Sequence, residues 1–164
     1  MKRFSLYLVL LMGAAAVAVA TPGWLSSYDQ ALKFAKKTKH PILLNFTGSD
    51  WCVWCKRMGK ESLGTKEFIR FASTNLLLVE VDFPETTPQP QEVKQANASL
   101  QAQFGVSGFP TFILVSPEGK ELGRHVGYLK GGAPAFTSLI QTWMEGARGT
   151  SEEGPINRKP AVAK

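Results

Sequence analysis

Two cysteines, Cys52 and Cys55, are the only ones in the chain of 164 residues, and they are three positions apart. One pair at this spacing cannot hold a disulfide-dense scaffold together, so a hydrophobic core must stabilise the fold. The composition supports such a core, because 44% of the residues are apolar and 20% are charged. These proportions are typical of a single globular domain and exclude a disordered chain or a fibrous repeat.

The cysteine pair follows a short apolar segment. Residues 41–46 are mostly apolar, which is typical of a buried central strand. The polar residues that follow predict a loop, in which Ser49 and Asp50 are candidate caps for a helix that begins near Cys52. The N–H groups and the dipole of a helix N-terminus stabilise a thiolate. We therefore predict that Cys52 is a nucleophile and that it forms a reversible disulfide with Cys55.

A structural disulfide and a metal site are the alternative roles for this pair. A disulfide that closes a loop of about four residues contributes well below the ~3 kcal/mol expected for a loop of fifteen residues. Zinc needs about four ligands, and the histidines that could join the thiols are His40 and His125, each of which fits an ordinary surface or sheet position better. A C-x-x-C sequence near a strand and a helix therefore favours redox activity, with no metal.

The rest of the chain alternates between helical and extended patterns. Helices are predicted from Ser26 or Ser27 to Lys39, from Cys52 with a continuation over 66–72, over 91–104 and over 134–145, and strands over 41–46, 76–83, 111–115 and 121–128. This order describes an α/β structure with a mixed sheet. The aromatic residues assigned to its core are Phe46, Phe83, Phe104, Phe112, Phe136 and Trp143.

The N-terminal segment has the layout of a secretory signal peptide. Lys2 and Arg3 precede an apolar run over residues 6–17, and Ala18-Val19-Ala20 provides a small-x-small cleavage sequence. A membrane anchor is the alternative, but the apolar run is shorter than the ~20 residues of a spanning helix. We therefore expect residues 1–20 to be removed by cleavage after Ala20, and the protein to be periplasmic or secreted.

The composition of the C-terminal segment predicts where the folded domain ends. Residues 148–164 are rich in Gly, Ser, Pro and charged residues, so we expect a disordered tail after a domain over residues 21–147.

The formal net charge is +6, but lysines cluster on the first predicted helix as a solvated face, and no aromatic or glycine-rich nucleic-acid motif accompanies them. We expect a monomer without a nucleic-acid partner.

Two separated motifs carry a family resemblance. Trp51-Cys52-Val53-Trp54-Cys55-Lys56 resembles the W-C-x-x-C-K active site of the thioredoxin superfamily, and Gly108-Phe109-Pro110-Thr111 resembles its G-x-P-T loop. The resemblance runs from about Pro41 to Glu145, and the cysteine motif is also similar to the periplasmic thioredoxin-like domain of transmembrane thiol-disulfide interchange proteins. It implies a thioredoxin-like fold, in which a central mixed β-sheet is flanked by helices on both faces.

The same resemblance implies roles for the site residues. Cys52 and Cys55 would be catalytic and would need no cofactor beyond their own disulfide. Pro110 would form a cis peptide bond beside the sulfur atoms; its missing N–H leaves the backbone of Phe109 free to pair with an extended substrate. A trans turn is the alternative for Pro110, and helix packing is the alternative for Trp54. The expected substrate-binding residues are Trp51, Trp54, Phe109, Pro110 and Thr111.

The chain also departs from the family pattern. Thioredoxins carry a buried acid on the central strand that moves protons during exchange, and the matching residue here is Asn45, which cannot accept a proton. The lysine that partners this acid is matched by Leu78. A proton leaving Cys55 would have to pass to water or to another group such as Glu80. The dipeptide between the cysteines is Val53-Trp54, so no redox potential is inherited from a better-known class.

The sequence therefore predicts an exported thiol-disulfide oxidoreductase, either a protein-disulfide reductase or an isomerase. Its partners would be protein thiols and disulfides, together with a redox partner that regenerates the pair, for which a membrane protein is one candidate. The alternative is a binding or chaperone module that holds other chains through Trp51, Trp54 and Phe109, with little redox activity.

Overall fold

The computed structural model describes residue 21 and residues 23–152. The predicted signal segment, residues 1–20, lies outside this described part, as does the predicted tail from residue 153 onward. Within the described part, no helix combines the length and the apolar character that a membrane span requires.

A four-stranded mixed sheet forms the centre of the fold. Its strands are β1 (Ile42–Thr47), β2 (Leu77–Asp82), β3 (Thr111–Val115) and β4 (Glu121–Val126), in the spatial order β2-β1-β3-β4. β1 is parallel to β2 and antiparallel to β3, and β3 is antiparallel to β4. Every residue of β1 and β3 is buried, which explains why their sequences are apolar runs without alternation.

Five α-helices and one π-helical turn surround this sheet. They are α1 (Tyr28–Thr38), α2 (Val53–Met58), the π-helical turn (Gly59–Leu63), α3 (Lys66–Asn75), α4 (Gln91–Gln103) and α5 (Gly132–Glu152). The Ser27 hydroxyl caps α1 by accepting the N–H of Gln30 at 3.3 Å, and Thr65 caps α3 in the same way.

The helices cover both faces of the sheet, as the thioredoxin-like fold requires. On one face, side chains of α1 and α4 pack with Leu44, Phe46 and Ile113. On the other face, side chains of α2, α3 and α5 pack with Leu43 and Phe112. The expected flanked sheet is thus confirmed. The aromatic residues assigned to the core differ in burial. Phe46, Phe112 and Phe136 are fully buried, whereas Phe83, Phe104 and Trp143 are partly buried at its edge.

The C-terminal helix differs from the prediction. Helix α5 begins at Gly132 and continues to Glu152, so residues 148–152, which were expected to be disordered, are helical. The buried residues Ala133, Phe136 and Ile140 lie in the first half of this helix. Trp143 and Met144 also pack against this core, whereas most of the other side chains between residues 141 and 149 are exposed, which explains the polar composition there.

Candidate active site

Cys52 and Cys55 are joined by a disulfide at the start of α2. Cys52 is itself the N-cap residue, and its Sγ accepts the N–H of Cys55 at 3.1 Å. Neither predicted cap, Ser49 nor Asp50, occupies this position. Only 4% of Cys52 and 6% of Cys55 is exposed. The pair therefore lies at the junction between the central strand and a helix, with a backbone N–H directed at the first sulfur.

The loop before the cysteines is tied to the end of β2. The backbone N–H and the hydroxyl of Ser49 donate to the two carboxylate oxygens of Asp82 at 2.9 and 2.6 Å. The indole Nε1 of Trp51 donates to the carbonyl of Phe83 at 2.8 Å. These bonds fix the backbone and one aromatic ring immediately before Cys52.

Asp50 ties the same loop to the segment that follows β2. Its carboxylate accepts the backbone N–H groups of Glu85, Thr86 and Thr87 at 3.0, 2.8 and 2.8 Å, and the Thr86 hydroxyl at 2.7 Å. These donors, first among them the N–H of Glu85, hold the pKa of Asp50 well below its usual range. Lys56 donates to the Asp50 carbonyl at 2.6 Å. Local sequence patterns do not predict this clamp of Asp50 on residues 85–87, because its two halves are more than thirty positions apart.

Three apolar side chains are exposed around the disulfide. Trp51 is 41% exposed, Val53 is 70% exposed and Trp54 is 51% exposed. The ring of Phe109 lies 5.8 Å from that of Trp51 and stacks on Phe83 at 5.1 Å. Trp51 and Phe109, two of the residues predicted to bind substrate, are therefore brought together on one surface.

Trp54 belongs to a separate cluster on the same side of the molecule. Its ring lies 5.5 Å from that of Tyr128, and the Arg57 guanidinium lies 4.5 Å above Tyr128 and 5.8 Å above Trp54. Glu61 accepts hydrogen bonds from the Tyr128 hydroxyl and, at 2.9 Å, from Arg57. This hydrogen bond to Glu61 raises the pKa of Tyr128. Trp54 therefore combines an exposed face with packing, which the sequence presented as alternatives.

The loop before β3 contains Pro110 and contacts the active-site segment through the rings of Phe109 and Trp51. The Phe109–Pro110 peptide bond is cis, and the Pro110 carbonyl accepts the N–H of Gly127 at 2.7 Å. Thr111 is buried, and its hydroxyl donates to the Gly108 carbonyl at 2.7 Å. Its side chain thus stabilises the loop, and contact of Thr111 with substrate stays a prediction. Gly108 and Phe109 are partly exposed, and Phe109 also packs against the core.

A pocket of about 220 Å³ lies against Cys55 on its inner side and is lined by Asn45 and Glu80 among others. Asn45 is buried on β1, and its partner on β2 is Glu80. Leu78, which matches the family's lysine in the sequence, lies two residues earlier on the same face of β2 and pairs with Leu43. Burial raises the pKa of Glu80.

The two histidines lie away from this site. His125 is on β4 opposite Phe112, and His40 is in the short connection between α1 and β1. In the described part of the chain, no group of three or more His, Cys, Asp or Glu side chains is arranged to hold a metal ion.

Comparisons with known proteins place this site in a family. The sequence profile of a family described as a thioredoxin-like domain matches residues 28–142. A disulfide bond reductase DsbH of Chlamydia pneumoniae is 44% identical over 126 residues, which cover 77% of this chain and 75% of that protein. A thioredoxin-related protein DsbJ of the same species is 35% identical over 101 residues, which cover 62% of this chain and 29% of that protein.

A solved structure agrees with these sequence relatives. The structure of a DsbH oxidoreductase superimposes with a TM-score of 0.72 at 41% identity and covers 82% of this chain and 92% of its own. The fold, the C-x-x-C disulfide at the start of α2 and these relatives lead to the same assignment. The chain belongs to the thioredoxin-like domain family, and within it to the thiol-disulfide oxidoreductases.

Proposed function

We propose that this chain is exported and reduces disulfides in protein substrates, with Cys52 as the attacking and Cys55 as the resolving cysteine. The observation that carries the proposal is the position of the disulfide, with Cys52 at the N-cap of α2 and its Sγ accepting the N–H of Cys55. Reduction is favoured over isomerisation because a relative of 44% identity is named a disulfide bond reductase.

The reaction consists of two exchanges. The Cys52 thiolate attacks one sulfur of a substrate disulfide, which forms a mixed disulfide and releases the other substrate sulfur as a thiolate. Cys55 then loses its proton and attacks Cys52 Sγ, which closes the Cys52–Cys55 bond and releases the second substrate thiolate. Two electrons pass from the enzyme to the substrate, and a reducing partner must return them.

The substrate would lie across the surface formed by Trp51 and Phe109. Both rings are in contact, and Trp51 is substantially exposed next to the cysteine motif. The Phe109 backbone precedes the buried Pro110, which has no N–H, so an extended substrate strand could pair there. Trp54 adds a second aromatic surface, supported by Arg57 and Tyr128.

The predicted signal segment supports the export part of the proposal. Lys2, Arg3, the apolar run and Ala18-Val19-Ala20 predict cleavage before Thr21. Exported chains meet an oxidising environment, so a reductase there depends on a redox partner that delivers electrons. We expect the protein to act as a monomer and to receive them from a membrane-bound thiol protein.

Trapping with Cys55→Ala tests the order of attack. Without the resolving thiol, Cys52 should hold its substrates as mixed disulfides, which non-reducing gels of the exporting cells show as adducts that disappear on reduction. The matched variant Cys52→Ala keeps one thiol and should give few adducts. Adducts that form through Cys55 instead, or a wild-type protein that neither reduces nor reshuffles a disulfide substrate, would contradict the proposal.

The exposed aromatic surface also supports the second candidate, a binding module. Trp51, Val53 and Trp54 are large apolar residues that remain exposed. A variant with both cysteines replaced by serine separates the two functions. As a binding module, this variant would still protect an unfolded protein from aggregation. As an oxidoreductase, it would no longer reduce a disulfide substrate.

A further inference from the structure

The pocket at Cys55 contains a single carboxyl group among the described residues that line it, and this group belongs to Glu80. Cys55 and Asn45 line the same pocket. The reaction requires the Cys55 thiol to lose a proton before it can attack. We propose that Glu80 accepts this proton and later returns it, so that the neighbouring strand supplies the acid that the central strand lacks. The inference rests on the proposed exchange through Cys52 and Cys55.

Sheet geometry brings Glu80 to this place. Asn45 and Glu80 are partners in the parallel pairing of β1 with β2, and the alternation along β2 sends Val79 and Val81 into the opposite core. Glu80 thus shares the face of Asn45, Cys55 and the helix α2. An amide at Asn45 can donate and accept hydrogen bonds but cannot take up a proton at neutral pH.

The groups around Glu80 determine how readily its carboxylate takes up a proton. The Thr21 hydroxyl donates to its two oxygens at 3.0 and 3.1 Å, and cleavage before Thr21 would add a positively charged α-amino group to this residue, which opposes the effect of burial on the pKa of Glu80. Asp82 lies on the same strand and opposes the ionisation of Glu80. Lys56 of α2 also lines the pocket, and its ammonium donates to the Asp50 carbonyl at 2.6 Å. Burial raises the pKa of Glu80, and a raised pKa lies closer to that of a thiol, which makes proton transfer more efficient.

The proton and electron balance is complete with these groups. After Cys52 has formed the mixed disulfide, the Cys55 thiol passes its proton to the Glu80 carboxylate, directly or through water in the pocket. The Cys55 thiolate attacks Cys52 Sγ, and the substrate thiolate leaves and takes a proton from solvent. When the reducing partner opens the Cys52–Cys55 bond, protonated Glu80 returns the proton to Cys55.

Rapid quenching separates the two exchanges. The reduced protein is mixed with oxidised glutathione, stopped with acid, and analysed by mass for the glutathione adduct and the internal disulfide. Formation of the adduct depends on the glutathione concentration, and its decay does not. For Glu80→Gln we expect the decay to slow about tenfold or more near neutral pH, with adduct formation within about twofold of the wild type, as expected for a role in the second exchange only.

The pH profile distinguishes proton transfer from a structural effect. In the wild type, the rate of adduct decay should fall as the pH drops through the pKa of Glu80. In Glu80→Gln this inflection should be absent, and the rate should rise only as Cys55 itself ionises, towards the ~8.5 of a free thiol. A wild-type profile with the thiol inflection alone, or a Glu80→Gln variant with the rate and profile of the wild type, overturns the proposal.

Two further variants control for charge and folding. Glu118→Gln removes the same charge from an exposed turn between β3 and β4, and should leave both rates unchanged. Asn45→Asp combined with Glu80→Gln moves the acid to the central strand at constant charge, and should restore rapid decay. A folded double variant that stays as slow as Glu80→Gln contradicts the proposal. Failure of the proposed function would look different, because the wild type would then form no adduct through Cys52.

Discussion

At the scale of single residues, the proposed proton transfer by Glu80 implies a cost in stability. Its carboxyl is largely withdrawn from water, and burial disfavours the charged form. Thr21 compensates in part by donating to both oxygens. A partly buried acid with a raised pKa is more often part of a site than of a scaffold, because a scaffold gains more from an apolar side chain at such a position.

The stability of the protein as a function of pH tests whether ionised Glu80 destabilises the fold. The folded-state pKa of Glu80 is raised above its ordinary value of 4.5, so its ionisation weakens the fold as the pH rises through the folded pKa. Glu80→Gln should therefore unfold at the same urea concentration as the wild type below pH 4.5, and at a higher concentration at neutral pH. Glu118→Gln should show no such divergence. A Glu80→Gln variant that is less stable at neutral pH than at acid pH, relative to wild type, contradicts the assignment.

At the scale of elements, the active site depends on two loops that are held together by side-chain hydrogen bonds. Ser49 and Trp51 bond to the end of β2, and Asp50 collects three consecutive N–H groups from the segment after it. This segment is polar and proline-rich and has no regular hydrogen bonds of its own. The Asp50 carboxylate therefore holds the backbone of this segment in one conformation.

Asp50→Ala should release this segment without unfolding the domain. Hydrogen exchange of the Glu85, Thr86 and Thr87 amides should become faster by about tenfold or more, since their shared acceptor is lost. Amides of β1 should keep their protection. The wild type should lose the same protection only in strong acid, because the depressed pKa of Asp50 keeps the carboxylate ionised below its usual range. Unchanged exchange at these three amides in Asp50→Ala would show that the clamp is not formed in solution.

Local patterns predicted some elements of this fold and could not predict others. The runs at β1 and β3 were identified because both are buried throughout and thus apolar throughout. The pairing of Asn45 with Glu80 was not identified, because the register of parallel strands is set by distant contacts. The sequence offers Glu80 as a possible proton acceptor, but its position relative to Cys55 depends on this register. The Asp50 clamp and the Glu61–Tyr128 contact likewise join residues that are far apart in the chain.

For the whole molecule, the C-x-x-C pair on a thioredoxin-like fold indicates the reaction, and its direction follows from the reduction potential. The two faces of the sheet carry separate cores, and the catalytic segment lies where β1 leaves the sheet and α2 begins. The relatives include a disulfide bond reductase at 44% identity. A reductase requires a disulfide that is more stable than those of its substrates, which corresponds to a low potential.

Equilibration of the Cys52–Cys55 pair with glutathione measures its reduction potential directly. The oxidised and reduced forms are quantified by mass after acid quenching and thiol alkylation, over a series of ratios of reduced to oxidised glutathione. A reductase should show a potential near the ~−270 mV of thioredoxin. A potential near the ~−120 mV of a strong oxidant would contradict the proposal that this protein delivers electrons to its substrates.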